Sequence, residues 1–217
     1  MTKDRPGWNA DVDNINDTMA AIGNKKLLPL KLNPSRDEIF GWIDEILDEL
    51  QIRDGLCDKK KPLFLFLMGH GSEKGIIDPD RQTFHEEHLI SALNTPSMNE
   101  RLKVVVMVSC RGSRQPPSMI CDDGPTSQRP IQNLIIMFSS QKGFVSKRRS
   151  EEGVPFIEEL CSELRRKYKR WSILKLFDFV KLRLTHFKIN KTTYNLTPDI
   201  KLYNVSVKYQ KIAIAFL

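Results

Sequence analysis

A histidine lies between two glycines at Gly69-His70-Gly71, and Cys110 follows His70 by 40 residues in the turn Cys110-Arg111-Gly112. A thiol and an imidazole within reach of each other are the parts of nucleophilic acyl transfer. The thiolate attacks a carbonyl, and the imidazole takes the thiol proton and returns it to the leaving amine. The negative oxygen of the tetrahedral intermediate needs fixed N–H donors. Backbone amides in the Gly-rich turns at Gly71 and Cys110 offer them. Taken singly, a cysteine at a strand end is more often core filler, and a histidine beside glycine a turn residue. It is the joint placement of the two, each directly behind an apolar run, that points to chemistry.

Positioning both groups requires a rigid scaffold. Residues 62–68 (PLFLFLM) precede His70, residues 103–108 (KVVVMV) precede Cys110, and residues 131–138 (IQNLIIMF) form a third run of the same kind. Runs this short and this apolar read as strands buried on both faces, as in a parallel sheet. Ligands collect at the carboxyl ends of such strands, so both side chains emerge on one rim if their strands are neighbours. Ser35 and Glu38 make a capping box, followed by a helix that places Ile39, Trp42, Ile43, Ile46, Leu47 and Leu50 on one face. Helical spacing also runs over residues 11–22, 88–93, 156–164 and 172–184. Residues 27–32 read as a short edge strand interrupted by Pro29, and residues 205–216 as a final strand. From Ser113 to Pro130, prolines, Asp122, Asp123 and Gly124 displace apolar residues, which marks a loop or a cleavable linker. The alternation predicts an α/β domain with helices on both faces of a mostly parallel sheet.

The 217 residues can bury a full core without a staple. The balance of 40% hydrophobic and 28% charged residues excludes disorder over most of the chain. No apolar run approaches the roughly 20 residues that cross a bilayer, and the N-terminus is polar. The expectation is a cytoplasmic protein without a membrane partner. Cys57, Cys110, Cys121 and Cys161 form no CxxC or CxxxC pair, which argues against a zinc knuckle and a disulfide framework. His85-Glu86-Glu87-His88 is not HExxH and no third ligand is evident, so neither a metal nor a cofactor is expected. The formal charge is +7, and residues 142–191 hold 14 Lys or Arg against 6 Asp or Glu. Without a recognisable binding motif, the dense run at residues 165–170 reads as a solvated helix face rather than a nucleic-acid surface.

Longer stretches resemble a known family. Met68-Gly69-His70-Gly71-Ser72-Glu73-Lys74-Gly75-Ile76 resembles the SHGxxG-type histidine loop of caspases. Val108-Ser109-Cys110-Arg111-Gly112 resembles their QAC[RQG]G pentapeptide, which stands about 50 residues beyond the histidine. Gly143-Phe144-Val145-Ser146-Lys147-Arg148-Arg149-Ser150 is similar to the GxxSWRxS loop. Gly153-Val154-Pro155-Phe156-Ile157-Glu158-Glu159-Leu160-Cys161 is similar to the GSWFIxxLC segment. Asp11-Val12-Asp13-Asn14 and the capped helix follow the family's order.

The resemblance implies a three-layer caspase-like α/β domain. Residues 1–112 would correspond to the large subunit, 113–130 to the linker and 131–217 to the small subunit, together one catalytic domain. It implies a cysteine endopeptidase cleaving after aspartate, made as a zymogen, acting on peptides or proteins in apoptotic signalling, and needing no cofactor. His70 is then the acid–base and Cys110 the nucleophile, with the Gly71 and Cys110 amides holding the oxyanion. Arg148 and Arg5 match the arginines that bind the substrate carboxylate, with Ser146 and Lys147 in the same loop and Val108 at the position of the pentapeptide's glutamine. Asp123 matches a processing site. The C-terminal strand at 205–216 would pair two copies, or pair the chain with another caspase.

Three departures qualify this expectation. Valine cannot donate the hydrogen bond of the glutamine it replaces, so aspartate selectivity weakens. Lys147 and Pro155 stand where the family has pocket-walling tryptophans. The central strand that precedes the family's Arg-x-Gly turn has no counterpart in residues 1–4, which leaves the sheet short beside the histidine strand. These departures keep an alternative open: a catalytically weak or inactive regulator that pairs with an active caspase.

Overall fold

The three apolar runs form the parallel strands of one sheet in the computed structural model, which describes residues 7–23, 30–54, 62–113, 131–189, 192–194 and 196–206. In chain order the elements are α1 (Trp8–Ala21), α2 (Arg36–Asp54), β1 (Leu63–Met68), β2 (His70–Ser72), β3 (Gly75–Ile77), β4 (Thr83–Phe84), α3 (Glu86–Leu93), β5 (Lys103–Val108), β6 (Leu134–Phe138), α4 (Pro155–Lys167), α5 (Ile173–Thr185), β7 (Phe187–Ile189), β8 (Thr192–Tyr194) and β9 (Asp199–Tyr203). The main sheet has the order β1-β5-β6-β9. β1 pairs parallel with β5, and β5 with β6, while β9 runs antiparallel to β6.

The two-residue period of a strand divides the apolar side chains between two cores. Val104, Val106, Val108, Ile135 and Met137 face α1, α4 and α5, where they meet Ile15, Met19, Phe156, Leu160, Phe177 and Val180. Leu65, Val105, Met107, Ile136 and Phe138 face α2 and α3, where they meet Ile39, Ile43, Ile46, Leu89 and Leu93. The result is the expected three-layer arrangement with helices on both faces.

The capping box forms: Ser35 N donates to Glu38 Oε2 at 2.7 Å and Glu38 N to Ser35 Oγ at 3.3 Å. Three further details differ from the sequence-based expectation. The helix expected from residue 88 begins at Glu86, two residues earlier. The edge strand expected at 27–32 is absent from Leu30–Leu32, where Leu30 and Leu32 are exposed, and residues 27–29 lie outside the described ones. The final strand expected at 205–216 does not include Val205 or Ser206, and its remainder lies outside the described residues. The last described strand is instead β9, at 199–203.

One buried charge sits at the start of β5. Lys103 is 1% exposed, and its ammonium donates to the carbonyls of Met98 (2.5 Å) and Arg101 (3.1 Å). Burial, with Arg101 nearby, pushes its pKa down to about 8.

Candidate active site

The register of β1 on β5 decides where the two reactive groups emerge. Met68 pairs with Val108, and Gly69 N donates to Val108 O at 3.0 Å. His70 and Cys110 therefore leave neighbouring parallel strands two residues past the same pair, at the carboxyl rim. His70 begins β2, the first strand of a small antiparallel sheet with β3 and β4. The turn closing that hairpin needs Gly75, whose φ is +144° and whose place a Cβ could not share with the Phe84 carbonyl oxygen, 2.2 Å away. Gly71 has a similar constraint: a Cβ there would lie 2.3 Å from Cys110 O and 2.7 Å from Ser109 Cβ. The histidine strand and the cysteine turn thus lie in direct contact. His70 is exposed and Cys110 is partly exposed, so solvent reaches both. Cys161 differs: it is fully buried, and burial pushes its thiol up to about 11.

The cysteine turn is fixed from the far side. Arg111 N donates to Phe144 O (2.8 Å) and Gly143 N to Arg111 O (2.7 Å). Ser140 Oγ donates to Ser109 O at 3.2 Å. The Arg111 guanidinium stacks 3.8 Å from the centroid of the Phe138 ring and pairs with Asp199 of β9 at 3.0 Å. Two residues on, Lys201 pairs with Glu86 at 3.0 Å, and Tyr203 Oη donates to the same carboxylate. Burial and the Glu86 contact push the Tyr203 phenol well above its usual range.

The loop after β6 carries the remaining candidates. Ser146 bonds Ser139 through their hydroxyls at 2.8 Å. Arg148 Nη1 is buried and has no hydrogen-bond partner. Its neighbour Arg149 is committed to Glu152 and Glu158. Both adjacent guanidinium groups keep a buried nitrogen without a hydrogen-bond partner, Arg148 Nη1 and Arg149 Nε, a costly state unless an acceptor arrives, but only Arg149 is already tied into ion pairs. Lys147 lines a shallow groove with Ser139, Val145, Val154, Phe156 and Thr197. Val108 is fully buried in the core, so it presents no polar group at the rim. Asp11, 3% exposed, accepts the Val154 amide at 2.8 Å and so pins the end of this loop to α1. Gly7 packs closely against the same loop: a Cβ there would lie 3.0 Å from the carbonyl oxygen of Arg149. Arg5, Asp123 and residues 114–130 lie outside the described residues.

The supporting roles of Asp11, Ser140 and Asp199 escape sequence reasoning, because each acts on a residue distant in the chain. Of the three aspartates in α1, Asp11 falls in helical register with Ile15 and Ile22 on the buried face while Asp13 and Asp17 are exposed, and that spacing was the one available signal.

The caspase-domain family model matches residues 1–208. The chain belongs to the caspase family. Human caspase-14 is 21% identical over 201 residues, covering 87% of this chain and 80% of that protein. Caspase-1 of Spodoptera frugiperda is 28% identical over 189 residues, covering 82% and 60% respectively. Mouse caspase-3 is 24% identical over 170 residues, covering 74% and 58%. This chain thus spans less than two thirds of the length of the latter two caspases. The crystal structure of caspase-1 from Spodoptera frugiperda superposes with a TM-score of 0.74 at 22% identity, covering 92% of this chain and 79% of that one, and so shares the fold. The caspase family is one of cysteine-type hydrolases acting on proteins. No helix among the described residues is long and apolar enough to cross a membrane.

Proposed function

We propose that this chain is a caspase-type cysteine endopeptidase with weakened selectivity for aspartate. The observation that supports the reading most is the backbone contact at Gly71, which leaves no space for a Cβ against the Cys110 carbonyl and brings the His70 and Cys110 segments together at the same end of the sheet. Cys110 Sγ gives its proton to His70 and attacks the scissile carbonyl carbon. The carbonyl oxygen takes the electron pair and is held by the N–H groups of Gly71 and Cys110. Collapse breaks the C–N bond, and the His70 imidazolium protonates the departing amine. Water, deprotonated by His70, then hydrolyses the thioester and restores the thiol.

Arg148 binds the substrate carboxylate, and its unsatisfied buried nitrogen supports that role. Arg5 is the second ligand; Gly7, two residues later, lies beside the Arg149 carbonyl. Val108 supplies no donor, which costs about 1–3 kcal/mol of selectivity for an acidic side chain. Ser146 shapes the loop through Ser139. Asp123 is the processing site of a zymogen whose linker is 113–130. The C-terminal segment after Ser206 makes the dimer contact, with a second copy or another caspase, in the cytoplasm.

Incubating the purified chain with aspartyl and non-aspartyl peptides, beside Cys110→Ala, tests the reading. Cleavage lost in the variant supports it, and equal rates from the two proteins remove it. A second reading, a non-catalytic regulator, is favoured by Val108, Lys147 and Pro155 at positions where the family has substrate-contacting residues. Co-purification with a full-length caspase, lost on Val207→Pro, together with no cleavage by the chain itself, would select it.

A further inference from the structure

The dense basic run at 165–170 does not stay on one helix face. Its first residues close α4, and Tyr168, Lys169, Arg170 and Trp171 turn the chain into α5, whose N-cap is Ser172. α4 starts beside the groove of the loop after β6 and carries the chain about 20 Å away from it over 13 residues, so this corner stands well apart from His70 and Cys110. The cations of the corner fall into two groups. Arg165 donates to Asn14 and Thr18 of α1, Arg166 pairs with Glu163 at 2.9 Å, and Arg183 with Glu159 at 2.7 Å. Lys167, Lys169, Arg170 and Lys175 have no carboxylate partner among the described residues, and Asp178, the acid of α5, pairs with none of them. Two of these four converge on one ring. The Lys167 and Lys175 ammonium groups stand 5.0 and 4.8 Å from the centre of the Trp171 indole, which also meets Phe179 edge-to-face at 5.3 Å. The ring quadrupole draws each cation in, yet it leaves two like charges close together, and an anion settling beside them relieves that repulsion.

We propose that the α4–α5 corner is a docking surface for an acidic protein segment that carries apolar residues among its carboxylates. The carboxylates meet Lys167, Arg170 and Lys175. An apolar side chain lies along Phe179 and the 61% exposed Leu182, which share the Lys175 face of α5 at helical spacing. The indole decides against a nucleic acid: bases bind such surfaces by stacking on free aromatic faces, and here two ammonium groups and Phe179 are already packed on the ring. The same contacts hold the indole to the protein and away from a bilayer, which would need it inserted. A second copy of the chain is disfavoured by the formal charge of +7, which repels like molecules and steers acidic ones in. This role goes beyond the peptidase reading and does not depend on it.

Binding to the full-length chain tests this with a fluorescein-labelled peptide repeating Glu-Glu-Leu, its Gln-Gln-Leu counterpart, a single-stranded oligonucleotide of the same charge, and vesicles of anionic phospholipid. The Glu peptide is expected to bind about tenfold tighter than the Gln peptide, as two or more exposed ion pairs would give, and to weaken as salt rises. Lys167→Glu with Lys175→Glu should abolish that preference, and the milder Lys167→Gln with Lys175→Gln should reduce it. Lys31→Glu with Lys74→Glu, at two exposed positions elsewhere, gives the same net charge and should leave it unchanged. No binding of the Glu peptide, equal binding of the Gln peptide, or equal loss from both glutamate double variants overturns the docking surface. So does tighter binding of the oligonucleotide or the vesicles that is lost with Lys167→Glu and Lys175→Glu, which would give the corner to another class of partner. Arg148→Ala should bind the Glu peptide as its parent does; a loss there would place the peptide at the rim instead and overturn the assignment, while leaving the peptidase reading standing.

Discussion

Gly71→Ala isolates the contact on which the proposed chemistry depends. The added Cβ would sit 2.3 Å from the Cys110 carbonyl oxygen and 2.7 Å from Ser109 Cβ. An ordinary carbon–oxygen contact is about 3.3 Å, so the two segments must part by about 1 Å. The displacement falls on β2, because β5 is held on both sides by β1 and β6 and is buried along its whole length, whereas β2 has only the short β3 as partner. His70 moves with β2 and Cys110 stays. A misplacement of about 1 Å between reacting groups costs about 100-fold in rate, while overpacking at this surface strand costs about 1–3 kcal/mol in stability. The expected result is a folded protein whose kcat/KM on an aspartyl peptide, and whose rate of Cys110 alkylation, both fall steeply. Gly41→Ala is the control. Nothing lies within 4 Å of its Cβ position in the α2 interior, so it should raise the unfolding temperature through helix propensity and leave activity alone. A folded Gly71→Ala protein within about threefold of its parent in kcat/KM would refute the geometric argument.

Lys103→Met should change how stability depends on pH. With a folded pKa of about 8 against an ordinary 10.5, the unfolded chain binds the extra proton between those values, so this group makes stability rise with pH across that window, by roughly 3 kcal/mol. Urea denaturation at pH 7 and pH 10 should show that rise reduced in the variant; equal slopes would contradict it. Asp199→Ala leaves the buried Arg111 guanidinium without its carboxylate and should lower stability by about 2 kcal/mol, read as a fall in the urea midpoint. An aspartate-mimicking electrophile should label Cys110 but not Cys161, whose thiolate burial disfavours; peptide mapping by mass spectrometry that finds Cys161 modified in the folded protein would overturn that assignment.

The fold was legible wherever burial is uniform. The strands β1, β5 and β6 are apolar on both faces, and the apolar stripes of α2, α4 and α5 have a 3.6-residue period. It was not legible at β9, where Asp199, Lys201 and Tyr203 share one face and Ile200 and Leu202 the other. The polar face meets protein at Arg111 and Glu86, whereas on the other face Ile200 packs against the core beside α1, α4 and α5 but Leu202 is 48% exposed. Periodicity rules assume that the apolar face turns inward, so a strand held by ion pairs reads as a loop. The strands β2, β3 and β4 are too short to show any period. At the site, His70 and Cys110 could be picked out because glycines flank them behind buried strands. The distinction between Arg148 and Arg149 rested on motif alignment alone; its physical basis, that Glu152 and Glu158 occupy only the second, requires the folded loop.

Cleavage within 114–130 should leave the molecule whole. The seam between the two resulting pieces runs between β5 and β6, which pair in parallel over five residue pairs and are buried throughout. Arg111 joins Asp199 across it, Glu86 joins Lys201 and Tyr203, and Asp11 holds the Val154 amide. Each core draws side chains from both pieces: Ile15 and Val106 pack with Leu160 and Phe177 on one face, and Leu65 and Leu89 with Ile136 and Phe138 on the other. Separating the pieces would expose both cores at once, so association should survive dilution to nanomolar concentration. The linkage nevertheless changes from intramolecular to bimolecular, and the unfolding temperature of the nicked protein should therefore rise with concentration while that of the intact chain stays constant. Fragments that separate on native gel filtration would mean that the central seam is not the one described here.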